Sequence, residues 1–145
     1  MDEKKIYELL NANLGFYLAT MDGDQPRVRG MMLFRADEKG IVFHTASTKD
    51  VFKQLQINPK AEMCFNANGV QIRVTGEIEV NTDEKLRQEI FEHPTRKFLQ
   101  AWKEKGIDNL LTVLTMKNCE AVTWTMETNF AEKTPISICN GYAFP

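Results

Sequence analysis

The stretch from Val70 to Val80, VQIRVTGEIEV, constrains the fold more than any other. Val70, Ile72, Val74, Ile78 and Val80 alternate with Gln71, Arg73, Thr75, Glu77 and Glu79. A period of two gives a strand one apolar and one polar face. The apolar face requires neighbouring strands to cover it. Asn68-Gly69, just before it, is a hairpin signal that returns residues 61–66 as its partner. Gly76 interrupts the apolar face and marks a bulge or bend.

The rest of the chain supplies more strands of the same kind. Residues 16–20, 27–35 and 41–44 are apolar-rich runs separated by Asp22-Gly23-Asp24 and Asp37-Glu38-Lys39-Gly40, which reads as an antiparallel meander. Two further strands are expected over Leu111–Met116 and Ala121–Met126. Helical spacing appears at Ile6, Leu9 and Leu10, with Gly15 as a stop, and again at Val51, Phe52 and Leu55. Ser47 followed by Asp50 fits a capping box for that second helix, and Asn58-Pro59 ends it. A third helix opens at residues 81–84 with Leu86, Ile90 and Phe91 inward, and residues 95–104 continue helically after Pro94. Residues 127–145 carry little pattern. The expected fold is mainly β with flanking helices: one domain over residues 1–145, with six or seven antiparallel strands in a barrel or sandwich.

The 145 residues are enough to bury a core, and 43% are hydrophobic, so disorder is not expected. No apolar run approaches the roughly 20 residues of a membrane span. The first ten residues mix charges and lack the apolar centre of a signal peptide, so a cytoplasmic location is expected. Eighteen basic against 20 acidic residues, with no long basic block, argue against nucleic-acid binding. Cys64, Cys119 and Cys139 have neither disulfide-framework nor zinc-site spacing.

Chemistry concentrates at Thr45-Ala46-Ser47-Thr48-Lys49, where a strand ends and a helix begins. A helix N-terminus has unpaired N–H groups and partial positive charge, which suit phosphate. Ser47 and Thr48 add hydroxyl donors and Lys49 a full charge. Arg27 and Arg29 alternate onto one face of their strand, and arginine grips phosphate oxygens through paired N–H bonds. Two arginines there meet either solvent or an anion. The glycine-rich spacing of a P-loop is absent.

Three stretches, FYLATMDGDQPRVRGMMLF, IVFHTASTKDVFKQLQINPKAEMCF and VQIRVTGEIEV, in this order and spacing, resemble the pyridoxamine 5′-phosphate oxidase-like family of flavin-binding split β-barrels. The resemblance covers residues 14–80 well and extends more loosely to Thr125. It implies a homodimer with flavin mononucleotide (FMN) at the subunit interface. It also implies a phosphate cradle of Arg29, with Arg27 beside it, and Thr45, Ser47, Thr48 and Lys49. The flavin ring is implied along the backbone of Val28, Gly30 and Met31. Glycine at position 30 lets a flat ring approach closely. Gln71 is implied to reach the ring's polar edge from the other subunit. Trp124 sits where relatives place an aromatic near the flavin, and equally suits a core or dimer contact.

No arginine- and histidine-bearing segment like the one that grips pyridoxal phosphate in the true oxidases is recognised after Trp124, so vitamin B6 oxidation is not expected. The resemblance is therefore to the small relatives that include general stress and nitroimidazole-resistance proteins. The expected function is FMN-dependent reduction or oxidation of a small molecule, with a nicotinamide as electron donor. His44, with an ordinary pKa near neutrality, is the candidate proton donor at the ring. His93, before Pro94, reads as a surface or capping residue. Two other readings stay open: flavin binding without turnover, as in a stress-related protein, and a split barrel that takes deazaflavin or haem, with His44 or His93 as the haem's axial ligand.

Overall fold

A computed structural model describes residues 1–141. Seven antiparallel strands form one sheet: β1 (Gly15–Asp22), β2 (Gln25–Asp37), β3 (Gly40–Ala46), β4 (Lys60–Ala67), β5 (Val70–Val80), β6 (Leu111–Trp124) and β7 (Ile136–Ile138). Their order is β3-β2-β1-β4-β5-β6-β7, and pairing of β3 with β6 closes the first six into a barrel. Closure leaves those strands without a free edge, which suits so small an all-antiparallel sheet.

Strand alternation fills the barrel. Phe16 and Leu18 of β1, Leu33 of β2, Ile41 and Phe43 of β3, Met63 and Phe65 of β4, and Ile72 and Val74 of β5 point into one core. Phe16 stacks on Phe65 with centroids 4.8 Å apart and meets Phe43 edge-on at 5.6 Å. Helix α1 (Glu3–Ala12) buries Ile6, Leu9 and Leu10 against this core. Its N-cap is Asp2, and Asn13 rather than Gly15 ends it, because Gly15 already belongs to β1. Asn11 fastens α1 to β2 through both Ala36 backbone groups, at 2.8 and 2.9 Å.

Strand β5 runs as its pattern predicts, except that Val80 is half exposed where the strand leaves the barrel. The register shifts between Thr75 and Glu77, so Gly76 is the expected bulge. A Cβ there would lie 3.0 Å from both Cys119 Cβ and Met116 Cγ. Gly76→Ala is expected to cost about 1–2 kcal/mol, because the close-packed facing strand must give way. Urea unfolding checks this; wild-type stability would show that β6 yields freely.

Two expected strands, Leu111–Met116 and Ala121–Met126, are one 14-residue strand, β6, that ends at Trp124. Lys117-Asn118-Cys119-Glu120 has a turn's composition, and Asn118 does take a left-handed φ of 50°. It bends the strand without ending it. Residues 111–116 pair with β3, and residues 119–121 with β7.

Helix α2 (Asp50–Ile57) joins β3 to β4, and α3 (Glu84–Glu92) follows β5. The expected continuation over 95–104 is broken into a 3₁₀ turn, Pro94–Arg96, and α4 (Leu99–Glu104). Helices α3 and α4 cover the outer face of β3 and β6, where Leu86, Ile90, Phe91 and Leu99 pack with Val42, Leu111 and Val113, whereas Val51 and Leu55 of α2 join the barrel core. Among the described residues no helix is long and apolar enough to cross a membrane.

Candidate functional site: a cationic notch beside the short helix

Strand parity decides which side chains reach the site. On β2, Arg27, Arg29 and Met31 share a face, and Leu33 of that face enters the core. Val28 and Gly30 face outward. At the β3–α2 turn, Lys49 N donates to Ala46 O at 3.0 Å, and Ser47 N is drawn to Leu110 O at 2.9 Å. The helix therefore starts after Lys49, which is its N-cap without a side-chain cap bond. The capping box expected from Ser47 and Asp50 does not form, because Ser47 lies two residues before the cap.

A depression of about 690 Å³ opens where β1, β2 and α2 meet, lined by Asp22, Arg27, Val28, Arg29, Thr48, Lys49, Asp50, Val51 and Gln54. Four of the six residues expected in a phosphate cradle are thus together, Arg27, Arg29, Thr48 and Lys49, with Val28, expected beside the ring, among them. Arg27 Nε donates to Asp22 Oδ2 at 3.2 Å, an exposed ion pair. Arg29 is held differently. Its Nη1 donates to Leu18 O at 3.0 Å and Thr20 Oγ1 at 2.8 Å, and its Nη2 donates to Gln54 Oε1 at 2.9 Å. Burial pushes its pKa down. Thr20 and Gln54 were not singled out in the sequence. The available signal was Thr20, a polar residue at an inward position behind Phe16 and Leu18.

The other expected site residues lie around this notch or away from it. Thr45 is buried on β3, opposite Thr112, and does not line the depression. Ser47 is half buried at the turn. Met31 packs against the barrel core. Gly30 faces outward, and a Cβ there would meet nothing within 4 Å. Backbone pairing sets Gly30, Tyr17, Cys64, Arg73 and Val122 in a row across the sheet. Gln71 and Trp124 pair with each other two residues further on, on the same outer face. Trp124 Nε1 donates to Asn129 Oδ1 at 2.9 Å. Within one chain neither lines the notch.

His44 corrects an expectation. It points outward from β3 beneath the helical layer, where its Nε2 accepts from Arg96 Nε at 2.9 Å. Burial first, and then the Arg96 charge, bring its pKa down from 6.5 to about 4. The ring is therefore a neutral acceptor at pH 7, not the proton donor suggested by an ordinary histidine pKa. His93 caps the 3₁₀ turn by accepting from Thr95 N at 3.2 Å, as a capping residue should. Arg96 was missed in the sequence. It is 1% exposed, donates to Leu33 O at 2.7 Å, and lies over the Phe34 ring at 5.3 Å.

A second depression, of about 570 Å³, lies toward β4 and β5 with Glu62, Glu77 and Glu120 around it. Its carboxylates suit an anion poorly. Among the described residues no cluster of His, Cys, Asp or Glu is placed to hold a metal.

A closed six-stranded antiparallel barrel with an added strand and flanking helices is the architecture of the split-barrel class. Residues 2–124 match the family model described as Pyridoxamine 5'-phosphate oxidase, and the chain belongs to that family. It is 31% identical over 91 residues to a pyridoxine/pyridoxamine 5′-phosphate oxidase of Rhizobium meliloti strain 1021, a match covering 61% of this chain and 44% of the relative. The chain thus spans about half the length of the curated relatives it matches. Among solved structures it superposes on a NimC/NimA family protein of Clostridium acetobutylicum with a TM-score of 0.71 and 27% identity, covering 94% of this chain and 93% of that one. It also superposes on a pyridoxamine 5′-phosphate oxidase-related, FMN-binding protein of Nostoc punctiforme with a TM-score of 0.60 at 17% identity, covering 93% and 95%. At that identity the likeness is one of fold.

Proposed function

We propose that this chain binds FMN by its phosphate in the notch and serves, as a homodimer, in the oxidation or reduction of a small molecule. The observation that carries this reading is Arg29. It is partly buried, it opens onto the notch, and its hydrogen-bond partners are all neutral. A desolvated charge held only by neutral groups favours an incoming anion. Lys49 and Thr48, both exposed at the opening of α2, add a cation and a hydroxyl. The residues present therefore fit a phosphate monoester.

Two features support the remaining parts. The outer sheet face carries Val28 at 65% exposure and Tyr17 at 60%, beside the open surface of Gly30. Apolar side chains on a sheet face favour a second copy of the chain. In such a homodimer, Gln71 and Trp124 of that face would meet the ring of a flavin bound to the other copy. The flavin, when bound, supplies the redox chemistry, with a nicotinamide as the proposed donor. In that complex Arg29, Thr48 and Lys49 would hold the phosphate, and the backbone of Val28, Gly30 and Met31 would lie beside the ring. His44, being neutral, would act only through hydrogen bonding.

The test is an absorbance scan from 300 to 550 nm of protein mixed with FMN and passed through gel filtration. Flavin bands retained at one per chain are expected. Their absence defeats the reading. Bleaching of the bands by a nicotinamide, restored by an acceptor, then separates turnover from storage. Lys49→Ala is expected to weaken FMN binding about tenfold, the worth of one charge-assisted phosphate contact. An equal affinity in a fluorescence titration would remove Lys49 from the site.

A further inference from the structure

We propose that Gln54 and Thr20 are positioning residues that fix Arg29 in place while leaving its charge uncompensated, which makes the notch selective for a phosphoryl group. This rests on the phosphate reading above. The geometry is a closed three-residue network. Arg29 Nη1 donates to Thr20 Oγ1 at 2.8 Å, Nη2 donates to Gln54 Oε1 at 2.9 Å, and the Thr20 hydroxyl donates to the same Gln54 oxygen at 2.7 Å. Thr20 is 2% exposed. Its hydroxyl accepts from one neighbour and donates to the other, so its orientation is set. Gln54 Oε1 accepts twice, which fixes the amide with its oxygen toward Arg29. The network links β1, β2 and α2, the three elements that form the notch.

The chemistry of these acceptors matters more than their number. A hydroxyl, an amide oxygen and the Leu18 carbonyl orient a guanidinium without cancelling its charge. A carboxylate in the same place would orient it equally well, but would form an ion pair that competes with any incoming anion. The neighbouring cation shows the contrast: Arg27 is paired with Asp22 at 3.2 Å. Asp50, also at the notch, lies on the exposed first turn of α2. Burial lowers the pKa of Arg29, consistent with a charge that has no counter-ion.

Gln54→Glu separates orientation from charge. The variant keeps the size and the acceptor oxygen, so a purely structural role for Gln54 would survive it. Affinities for FMN and for riboflavin, which lacks the phosphate, are measured by flavin fluorescence quenching beside thermal melting. Wild type is expected to prefer FMN by about a hundredfold or more, on the order of two charge-assisted contacts. Gln54→Glu is expected to melt within a few degrees of wild type, while that preference falls at least about fivefold and riboflavin affinity holds. Wild-type preference in a folded Gln54→Glu overturns the proposal and leaves the phosphate reading standing. A wild type that binds both flavins equally overturns both. Should Gln54→Glu not fold, Gln54→Met carries the test. It removes the acceptor and adds no charge, and its FMN preference is expected to fall about threefold from lost orientation. An unchanged preference there overturns the proposal as well.

Discussion

Arg29→Ala is expected to lower FMN affinity about a hundredfold while riboflavin affinity stays within about twofold, since a hydrogen bond to a charged group contributes about 1.5–3 kcal/mol and each 1.4 kcal/mol is a factor of ten. The effect should exceed that of Lys49→Ala. Lys49 is an exposed cation at the helix opening, whereas Arg29 is held by four hydrogen bonds and loses less freedom on binding. The fold should tolerate the change. Thr20 and Gln54 keep their mutual bond at 2.7 Å, so removing the guanidinium leaves neither without a partner. Arg29→Lys should fall between, with the charge restored but not the two-pronged donor. Fluorescence titration with both flavins reads all of this. Equal FMN affinity in Arg29→Ala and wild type would take the phosphate out of this notch.

The parts legible in the sequence were those coded by near neighbours. The alternation of Val70 to Val80 sets β5, and Asn68-Gly69 makes its turn with both residues at positive φ, 52° and 81°. The same parity put Arg27 and Arg29 on one face, and the hydroxyl-lysine turn put Thr48 and Lys49 at the start of α2. What stayed hidden depended on pairing across the chain. Local composition cannot distinguish the bend at Asn118 from a turn, because both use a left-handed residue. The partner strand β5, paired with β6 on both sides of the bend, shows that the strand runs on. Strand β7 has three residues and exists by pairing with β6. Gln54 lies 34 residues from Thr20, and Arg96 lies 52 residues from His44. Thr45 belonged by spacing to a cluster of hydroxyls, yet strand parity turns it to the same side as Phe43. Residues of one turn can thus split between core and site.

Acid should find the other buried arginine. Stability is expected to fall by about 3 kcal/mol between pH 6.5 and 4 on account of His44 alone, at 1.36 kcal/mol per pKa unit. Unfolded, this histidine has its ordinary pKa of 6.5; folded, burial and the Arg96 guanidinium lower it to about 4. Between those values the unfolded chain binds a proton that the folded chain refuses. The full stability is therefore present above pH 6.5 and is lost as pH falls toward 4. Carboxylates also titrate near the lower end, so the interval from pH 6.5 to about 5 is diagnostic. His44→Gln should flatten that interval, because an amide oxygen can still accept from Arg96 Nε and never gains a charge. Arg96→Ala should cost about 3–5 kcal/mol at pH 7, since it removes a buried group packed over Phe34 and leaves Leu33 O and His44 Nε2 without their donor. It should also shift the histidine midpoint upward, because the charge is gone while the burial remains. Urea unfolding from pH 7 to 4.5 measures each variant. Identical slopes for wild type and His44→Gln above pH 5 would mean that the imidazole takes up its proton in the folded state, and Arg96 would then have to rest on some other acceptor. A steeper wild-type slope that His44→Gln removes would show that the helical layer is fastened to β3 by a cation and a histidine that must stay neutral for the contact to hold.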